Sequence, residues 1–202
     1  MDIQIKQGPQ CHPSNCYTYR NGDIKYIVIH FTSNNGDTAL NNCNYFSSAN
    51  RGASAHYFIG DDGIYQSVPD KWAAWAVGGT KIYKHPYCRN MNSISIEMCS
   101  RIGADGKYYI RDGIVEQTIK LTRYLMNKYG VPAQNVLRHY DVWDKQCPEP
   151  FVRKPELWEK FKRKLKTPAG CVGRILQIKT GQKEIRTLCR LPHTPAFIPG
   201  VL

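Results

Sequence analysis

Two histidines and a cysteine in this chain are of the types that hold a metal ion. His30 closes the most apolar stretch, Tyr26-Ile27-Val28-Ile29-His30-Phe31, and His139 opens the segment His139-Tyr140-Asp141-Val142-Trp143-Asp144-Lys145-Gln146-Cys147-Pro148. Taken singly, each histidine reads more readily as a core imidazole with a satisfied hydrogen bond, because a buried polar group needs a partner. As a set with Cys147 they match the demand of zinc for imidazole and thiolate ligands, with a fourth position left to water in a catalytic site. The spacing is not that of a zinc finger. Glu97 ends the alternating run Asn92-Ser93-Ile94-Ser95-Ile96-Glu97-Met98, so it shares a face with Ser95 and turns away from the two isoleucines. It is either an exposed strand carboxylate or a general base. Lys145 lies two positions before Cys147 and is either a solvated loop lysine or a cation placed to meet an oxyanion.

These residues need a frame. Tyr26–Phe31 reads as a buried central strand. Asp37-Thr38 is a candidate cap for a helix carrying Leu40, Cys43 and Phe46 on one side. Residues 55–59 and 64–68 read as a hairpin joined by Gly60-Asp61-Asp62-Gly63. A long helix is expected over roughly 112–129, with Ile114, Thr118, Leu121, Leu125 and Tyr129 at helical spacing and Gly130 as its stop. Residues 135–139 read as a short strand followed by a loop, and 154–164 as a last helix introduced by Pro155. Strands mixed with helices predict an α/β domain, a central sheet flanked by helices, over 1–165. A linker and short basic tail follow over 166–202, with a candidate strand at Arg174–Lys179.

Composition narrows the function classes. The 202 residues carry a formal net charge of +12, which raises the odds of a polyanionic partner. The densest basic cluster, Lys160 to Lys164, reads as the solvated face of a helix. No helix-turn-helix, finger or aromatic stacking pattern supports nucleic-acid binding. No apolar run approaches the roughly 20 residues of a membrane span, so no stable membrane insertion is expected. The start, Met1 to Gln7, has no basic cap and apolar stretch, which predicts synthesis in the cytoplasm without a secretory leader. Eight cysteines form no C-x-x-C pair. Cys11 and Cys16 are close enough to bridge, yet they are expected, like Cys43, Cys88, Cys99, Cys171 and Cys189, to be reduced small residues.

From about residue 20 to 165 the chain resembles the type-2 N-acetylmuramoyl-L-alanine amidases, a family that includes phage endolysins, bacterial autolysins and peptidoglycan-recognition proteins. Four segments carry the resemblance: Ile27-Val28-Ile29-His30-Phe31-Thr32, Ser54-Ala55-His56-Tyr57-Phe58-Ile59, Asn92-Ser93-Ile94-Ser95-Ile96-Glu97, and Arg138-His139 with Lys145-Gln146-Cys147-Pro148. The resemblance implies a mixed sheet with helices packed on it and a Zn2+ site at one edge held by His30, His139 and Cys147. Glu97 would be the base and Lys145 the oxyanion cation. The implied reaction is hydrolysis of the bond between muramic acid and L-alanine in bacterial peptidoglycan. His56 and Trp75 are assigned to substrate binding, with a packed structural histidine as the open alternative for His56. Two departures stand out. Ala55 occupies the place where relatives lacking the strand glutamate often carry tyrosine, and Trp75-Ala76-Val77-Gly78 stands where many show Trp-His-Ala-Gly. A peptidoglycan-recognition module that binds without cutting is the alternative function, and Cys147 speaks against it because such binders lose the thiol ligand. The resemblance and the missing leader together favour a phage or prophage endolysin acting on the wall over a secreted autolysin.

Overall fold

The run Tyr26–Phe31 forms β3 and is buried along its whole length, as a β-branched strand covered on both faces should be. In this computed structural model, which describes residues 3–78 and 82–166, the strands in chain order are β1 (Ile5–Gln7), β2 (Cys16–Tyr17), β3, β4 (Tyr57–Gly60), β5 (Gly63–Gln66), β6 (Ala73–Ala74), β7 (Ser93–Met98), β8 (Arg101–Ile102), β9 (Tyr108–Tyr109) and β10 (Val136–Arg138). The helices are α1 (Ala39–Ser47), α2 (Asp112–Tyr129), α3 (His139–Trp143), α4 (Glu149–Arg153) and α5 (Pro155–Lys166). The basic tail and its candidate strand Arg174–Lys179 lie outside the described residues.

Six strands form one sheet in the order β1-β5-β4-β7-β3-β10. Only the β4–β5 hairpin is antiparallel; every other neighbour is parallel. The expected mixed sheet flanked by helices is therefore what forms. Two antiparallel ribbons, β2–β6 and β8–β9, stand apart from it.

Register does the positioning. β3 and β7 pair Val28 with Ser95 and His30 with Glu97, and directly paired residues project from the same face. β10 pairs Arg138 with Ile29, so His139, the next residue, arrives beside His30. All three strands end at one edge of the sheet, the carboxyl edge where open parallel sheets place their ligands.

The two faces are filled differently. Ile27, Ile29, Ile94 and Ile96 join Leu121 and Leu125 of α2 and Trp158 and Phe161 of α5 in one large core. Across the sheet, Tyr26 and Val28 pack with Val77, Cys88 and Val142 in a small one. Polar Ser93, Ser95, His30 and His56 fill the rest of that second face and are all buried. Helix α2 buries Ile114, Thr118, Leu121 and Leu125 and stops at Gly130, whose φ of 66° is the left-handed conformation that glycine adopts at least cost. No helix among the described residues is long and apolar enough to cross a membrane.

Several details differ from expectation. Cys43 is buried and Phe46 packs on the core as expected, but Leu40 is 37% exposed and Ala39 and Asn42 are buried in its place, because the helix sits over the β4–β5 hairpin at a different rotation. The loop after β10 is a helical turn, α3, which His139 opens. The last helix forms where expected, as α5 beginning at Pro155, but a short helix that was not expected, α4, precedes it and ends before the proline, whose pyrrolidine cannot continue a helix but can begin one. In the Lys160–Lys164 cluster, Lys160 and Arg163 are exposed, whereas Lys162 is drawn inward and donates to Val136 O at 2.7 Å, its pKa lowered to about 8 by burial.

The hairpin also holds α1. Thr38 caps the helix by accepting from Asn41 N at 3.1 Å, and Asp62 in the hairpin turn accepts from the N–H groups of Ala39 and Leu40 at 2.9 and 3.0 Å. A carboxylate at a helix N-terminus satisfies otherwise unpaired donors and meets the positive end of the helix dipole. Asp62→Ala is expected to cost about 1–2 kcal/mol of stability, read as a lower urea midpoint at unchanged m-value; an unchanged midpoint would show that Thr38 caps α1 alone.

Candidate metal centre and active site

The donor atoms of His30, His139 and Cys147 all lie within 4.8 Å of one another. His30 Nδ1 is 3.8 Å from Cys147 Sγ, and the two imidazole centroids are 4.6 Å apart at 59°. Tetrahedral zinc bonds of 2.0–2.3 Å imply ligand separations of roughly 3.3–3.8 Å, so small side-chain adjustments would close the set around an ion. The three residues are only 2%, 4% and 2% exposed.

Local structure explains how they meet. Arg138 closes a capping box on Asp141, with its backbone N–H at 2.9 Å from Oδ2 and Nη2 at 2.7 Å from Oδ1. That box turns the chain into α3 immediately after β10 and sets His139 at the first helical position. Asp144, in the left-handed region with φ 60°, ends α3. The chain then doubles back so that Cys147 O accepts from Tyr140 N at 2.8 Å, which returns the thiol to the two histidines.

The hydrogen bonding of this spot is incomplete. Nε2 of His30, both ring nitrogens of His139 and Oε2 of Glu97 are buried without a partner. Buried polar atoms are almost always satisfied, and each unpaired one costs about 1–3 kcal/mol. Nitrogen and sulfur donors converging on one point beside a carboxylate fit a metal ion. The protonation states agree. Burial first, then the charges of His139 and Lys145, holds the His30 imidazole neutral, and burial lowers His139 to about 4. Cys147 is pushed well above an ordinary thiol by burial and by Glu97, so its thiolate needs a compensating cation.

Glu97 Oε1 lies 3.9 Å from His30 Nδ1 with the Glu97 side chain 20% exposed. With His30 neutral this is proximity and not an ion pair. Burial raises Glu97 to about 8, while Lys145 works in the other direction. Lys145 is exposed, and its charge acts on His30, His139, Glu97 and Cys147 alike.

On the open side Glu97 borders a groove of about 470 Å3 lined with Thr32, Asn34, Asp37, Asn41 and Tyr45. Sequence reasoning missed this wall. Asp37 was read only as a helix cap, but its carboxylate accepts from Thr32 Oγ1 at 3.2 Å, Asn34 Nδ2 at 3.0 Å and Asn42 Nδ2 at 2.6 Å. The run of asparagines around it was the available signal.

A family model described as N-acetylmuramoyl-L-alanine amidase matches residues 20–150. The chain belongs to that family. It is 32% identical over 155 residues to the amidase CwlL of Bacillus licheniformis, covering 73% of this chain and 42% of the relative. Against the amidase BlyA of Bacillus subtilis it is again 32% identical over 155 residues, covering 71% and 41%. The chain thus spans about two-fifths of the length of these curated relatives. Among solved structures, that of PlyL is 27% identical with a TM-score of 0.66, covering 84% of this chain and 99% of the other. A mutant endolysin from Bacillus subtilis is 26% identical with a TM-score of 0.65, covering 81% and 99%.

Within this amidase domain the two expected substrate-binding residues are placed differently from the rest. His56 is 1% exposed, the arrangement that the packed-histidine alternative expects. Ser95 N donates to its Nδ1 at 3.0 Å, which puts the ring proton on Nε2, 3.2 Å from Trp72 O. The Arg20 guanidinium lies 2.9 Å from the same nitrogen, and burial together with that charge lowers His56 to about 3. Trp75 is half-buried, its ring edge-on to Tyr17 at 5.3 Å, and it does not line the Glu97 groove. Arg20 escaped sequence reasoning altogether; it ties loops together by donating to the carbonyls of Asp70, Trp72, Met91 and Ser93.

Replacing the thiol tests the metal centre. Cys147→Ser is expected to lower zinc affinity by at least about 100-fold, since a hydroxyl is a far poorer ligand than a thiolate. Metal content by mass spectrometry after dialysis against a calibrated chelator reads it, and full occupancy in the variant would remove Cys147 from the ligand set.

Proposed function

We propose that this chain hydrolyses the amide bond between N-acetylmuramic acid and L-alanine in bacterial peptidoglycan, with Zn2+ held by His30, His139 and Cys147. The observation that carries this reading is the cluster of unpaired imidazole nitrogens and a buried thiol, with Glu97 in direct strand register beside it.

An amide is a weak electrophile with a poor leaving group, so its hydrolysis requires an activated water and a proton delivered to nitrogen. Zinc in such a donor set supplies Lewis acidity, acidifying water toward pH 7 and polarising a carbonyl. Glu97 is the proton carrier. Its Oε2 has no protein partner, so no protein donor occupies the oxygen that would accept the proton of the attacking water and pass it to the alanine nitrogen as the bond breaks. Its elevated pKa suits both halves of that task near neutral pH. Lys145 supplies positive charge where the carbonyl oxygen becomes an oxyanion. The burial of His30 and His139 keeps both imidazoles in the neutral form that a metal requires. The asparagine- and tyrosine-lined groove beside Glu97 offers amide and hydroxyl partners to a peptide or glycan strand.

The same proposal places the chain's action at the cell wall, as a phage or prophage endolysin; its likeness to the Bacillus subtilis endolysin supports that placement. Peptidoglycan is the partner, and nucleic acid is not.

Digestion of purified peptidoglycan, followed by mass spectrometry with and without a zinc chelator, is the test. Free L-alanine amino termini on intact glycan chains, abolished by chelation, are expected. New reducing ends or cuts within the stem peptide would replace the amidase reading, and wall binding without cleavage would make the chain a recognition module. Glu97→Gln is expected to keep its zinc and lose about 100- to 10,000-fold in kcat. A wild-type rate in that variant would assign the proton transfer to another group.

A further inference from the structure

We propose that Cys11 and Cys16 close a disulfide once the chain meets an oxidising medium, and that the bond locks the turn from which the Trp75 segment and the end of α1 are held. The sequence suggested two reduced small residues. The structure makes them a pair.

Cys11 and Cys16 flank the helical turn Pro13–Asn15, which is closed by Asn15 N donating to His12 O at 2.9 Å. Both thiols converge on that one carbonyl oxygen, Cys11 Sγ at 3.6 Å and Cys16 Sγ at 3.9 Å, and they hydrogen-bond each other. Both are buried, at 1% and 3% exposure. The pair is unequal. The hydrogen bond from Cys11 lowers the Cys16 thiol, while the same bond first and burial second raise Cys11. One sulfur is thus suited to attack and the other to resolve. Cys43, the neighbouring thiol, is raised to about 12 by burial and does not share the His12 carbonyl.

The chemistry needs an oxidant, and a low-molecular-weight disulfide supplies it. The Cys16 thiolate attacks one sulfur of the oxidant and expels a thiolate, giving a mixed disulfide. Cys11 then passes its proton to the expelled thiolate, and its sulfur displaces the second half of the oxidant, which leaves as a thiolate and takes up the proton Cys16 lost at ionisation. Two protein thiols and one small disulfide become one protein disulfide and two small thiols. Cytosolic thiol pools keep such a pair reduced, and media outside the cell do not.

What the bond would lock is specific. Asn15, between the two cysteines, is 0% exposed. Its Nδ2 donates to Phe46 O and Ser48 O at 3.0 and 2.8 Å, which holds the C-terminal end of α1. Its Oδ1 accepts from Arg51 N at 2.7 Å. Its backbone oxygen accepts from Ser54 Oγ at 2.8 Å, and Ser54 Oγ accepts from Trp75 N at 3.0 Å. Cys16 itself pairs with Ala74 in the β2–β6 ribbon. A crosslink from Cys11 to Cys16 would fix both ends of the turn that carries all these bonds.

The bond can be sought without any assay of wall cleavage, so its failure and the failure of the amidase reading are separable. The full chain, reduced and then treated with oxidised glutathione, is blocked with an alkylating agent and cut with trypsin. The peptide spanning residues 7–20 contains both cysteines and is expected about 2 Da lighter than its reduced form and unalkylated. Closure of so short a loop is expected to raise Tm by about 5 °C over the reduced protein, a shift that Cys16→Ser abolishes and Cys43→Ser retains. A fully alkylated 7–20 peptide after oxidation, a stable glutathione adduct on either cysteine, or a link from Cys11 to Cys43 would each overturn the proposal. Should Cys16→Ser fail to fold, the mass of the wild-type peptide and the Cys43→Ser protein still decide it.

Discussion

The parallel register between β3 and β7 is the constraint on which the site depends. It sets His30 directly across from Glu97, and a slip of one residue would turn the side chain on the slipped strand to the opposite face, into the isoleucine core, and separate the two. The β10–β3 pairing adds the third coordinate by delivering His139 one residue past its last paired position. Three separate strands thereby place an imidazole, a second imidazole and a carboxylate side by side without help from flexible loops. Ile27, Ile29, Ile94 and Ile96, all 0% exposed, enforce the register from behind, so the packing of one face fixes the chemistry of the other. Cys147 alone reaches the site from a loop, and that loop is pinned at both ends, by the Arg138–Asp141 box and by Tyr140 N on Cys147 O.

The polar groups around the site show how unusual its unpaired atoms are. His56 has both ring nitrogens engaged, Arg20 donates to five backbone carbonyls, and Asp70 receives Tyr57 and Lys128 at 2.7 and 2.9 Å as well as Tyr129. Other unpaired buried atoms, on Ser67, Trp75, Thr122 and Glu149, occur one to a residue, whereas four gather at this one point. At about 1–3 kcal/mol each, that is comparable with the 5–15 kcal/mol by which a whole domain is stable. A structural histidine cluster would have been selected toward satisfaction. A binding centre has its partners supplied from outside.

Legibility in the sequence followed the same division. His30 and Glu97 stood out because each is a polar residue closing an apolar or alternating strand, and His139 and Cys147 because imidazole and thiol flank a short connection; such signals are local. The central strand, the hairpin and α2 were legible for the same reason, with Gly130 at its left-handed position marking the end of the helix. What could not be read depends on contacts far along the chain. Ile5–Gln7 pairs with residues nearly 60 positions away, and the alternation Asp2-Ile3-Gln4-Ile5-Lys6 that runs into it is too short to fix a strand on its own. Leu40 looked like a core residue until the hairpin, capping α1 through Asp62, set the helix's rotation. His56 and His30 are indistinguishable as strand histidines, and only the approach of Arg20, Ser95 and Trp72 makes one structural while the other is left open. Asp37 is a different case, since its three partners are all local and the neighbouring asparagines were the signal for them.

Charge balance connects the burial of the site to its chemistry. Low-dielectric surroundings penalise every charged form here: they keep both histidines neutral, raise Glu97 to about 8 and push the Cys147 thiol higher still. A monovalent ion would balance only one of the two anions that these acids can become. A divalent cation, a thiolate and a carboxylate sum to no net charge, and neutral imidazoles complete the shell without disturbing that sum. The same accounting gives Lys145 its place at the exposed margin. A buried ammonium would leave the set with excess positive charge, whereas a solvated one can lend its field when negative charge appears on a substrate oxygen and be screened by water when it does not.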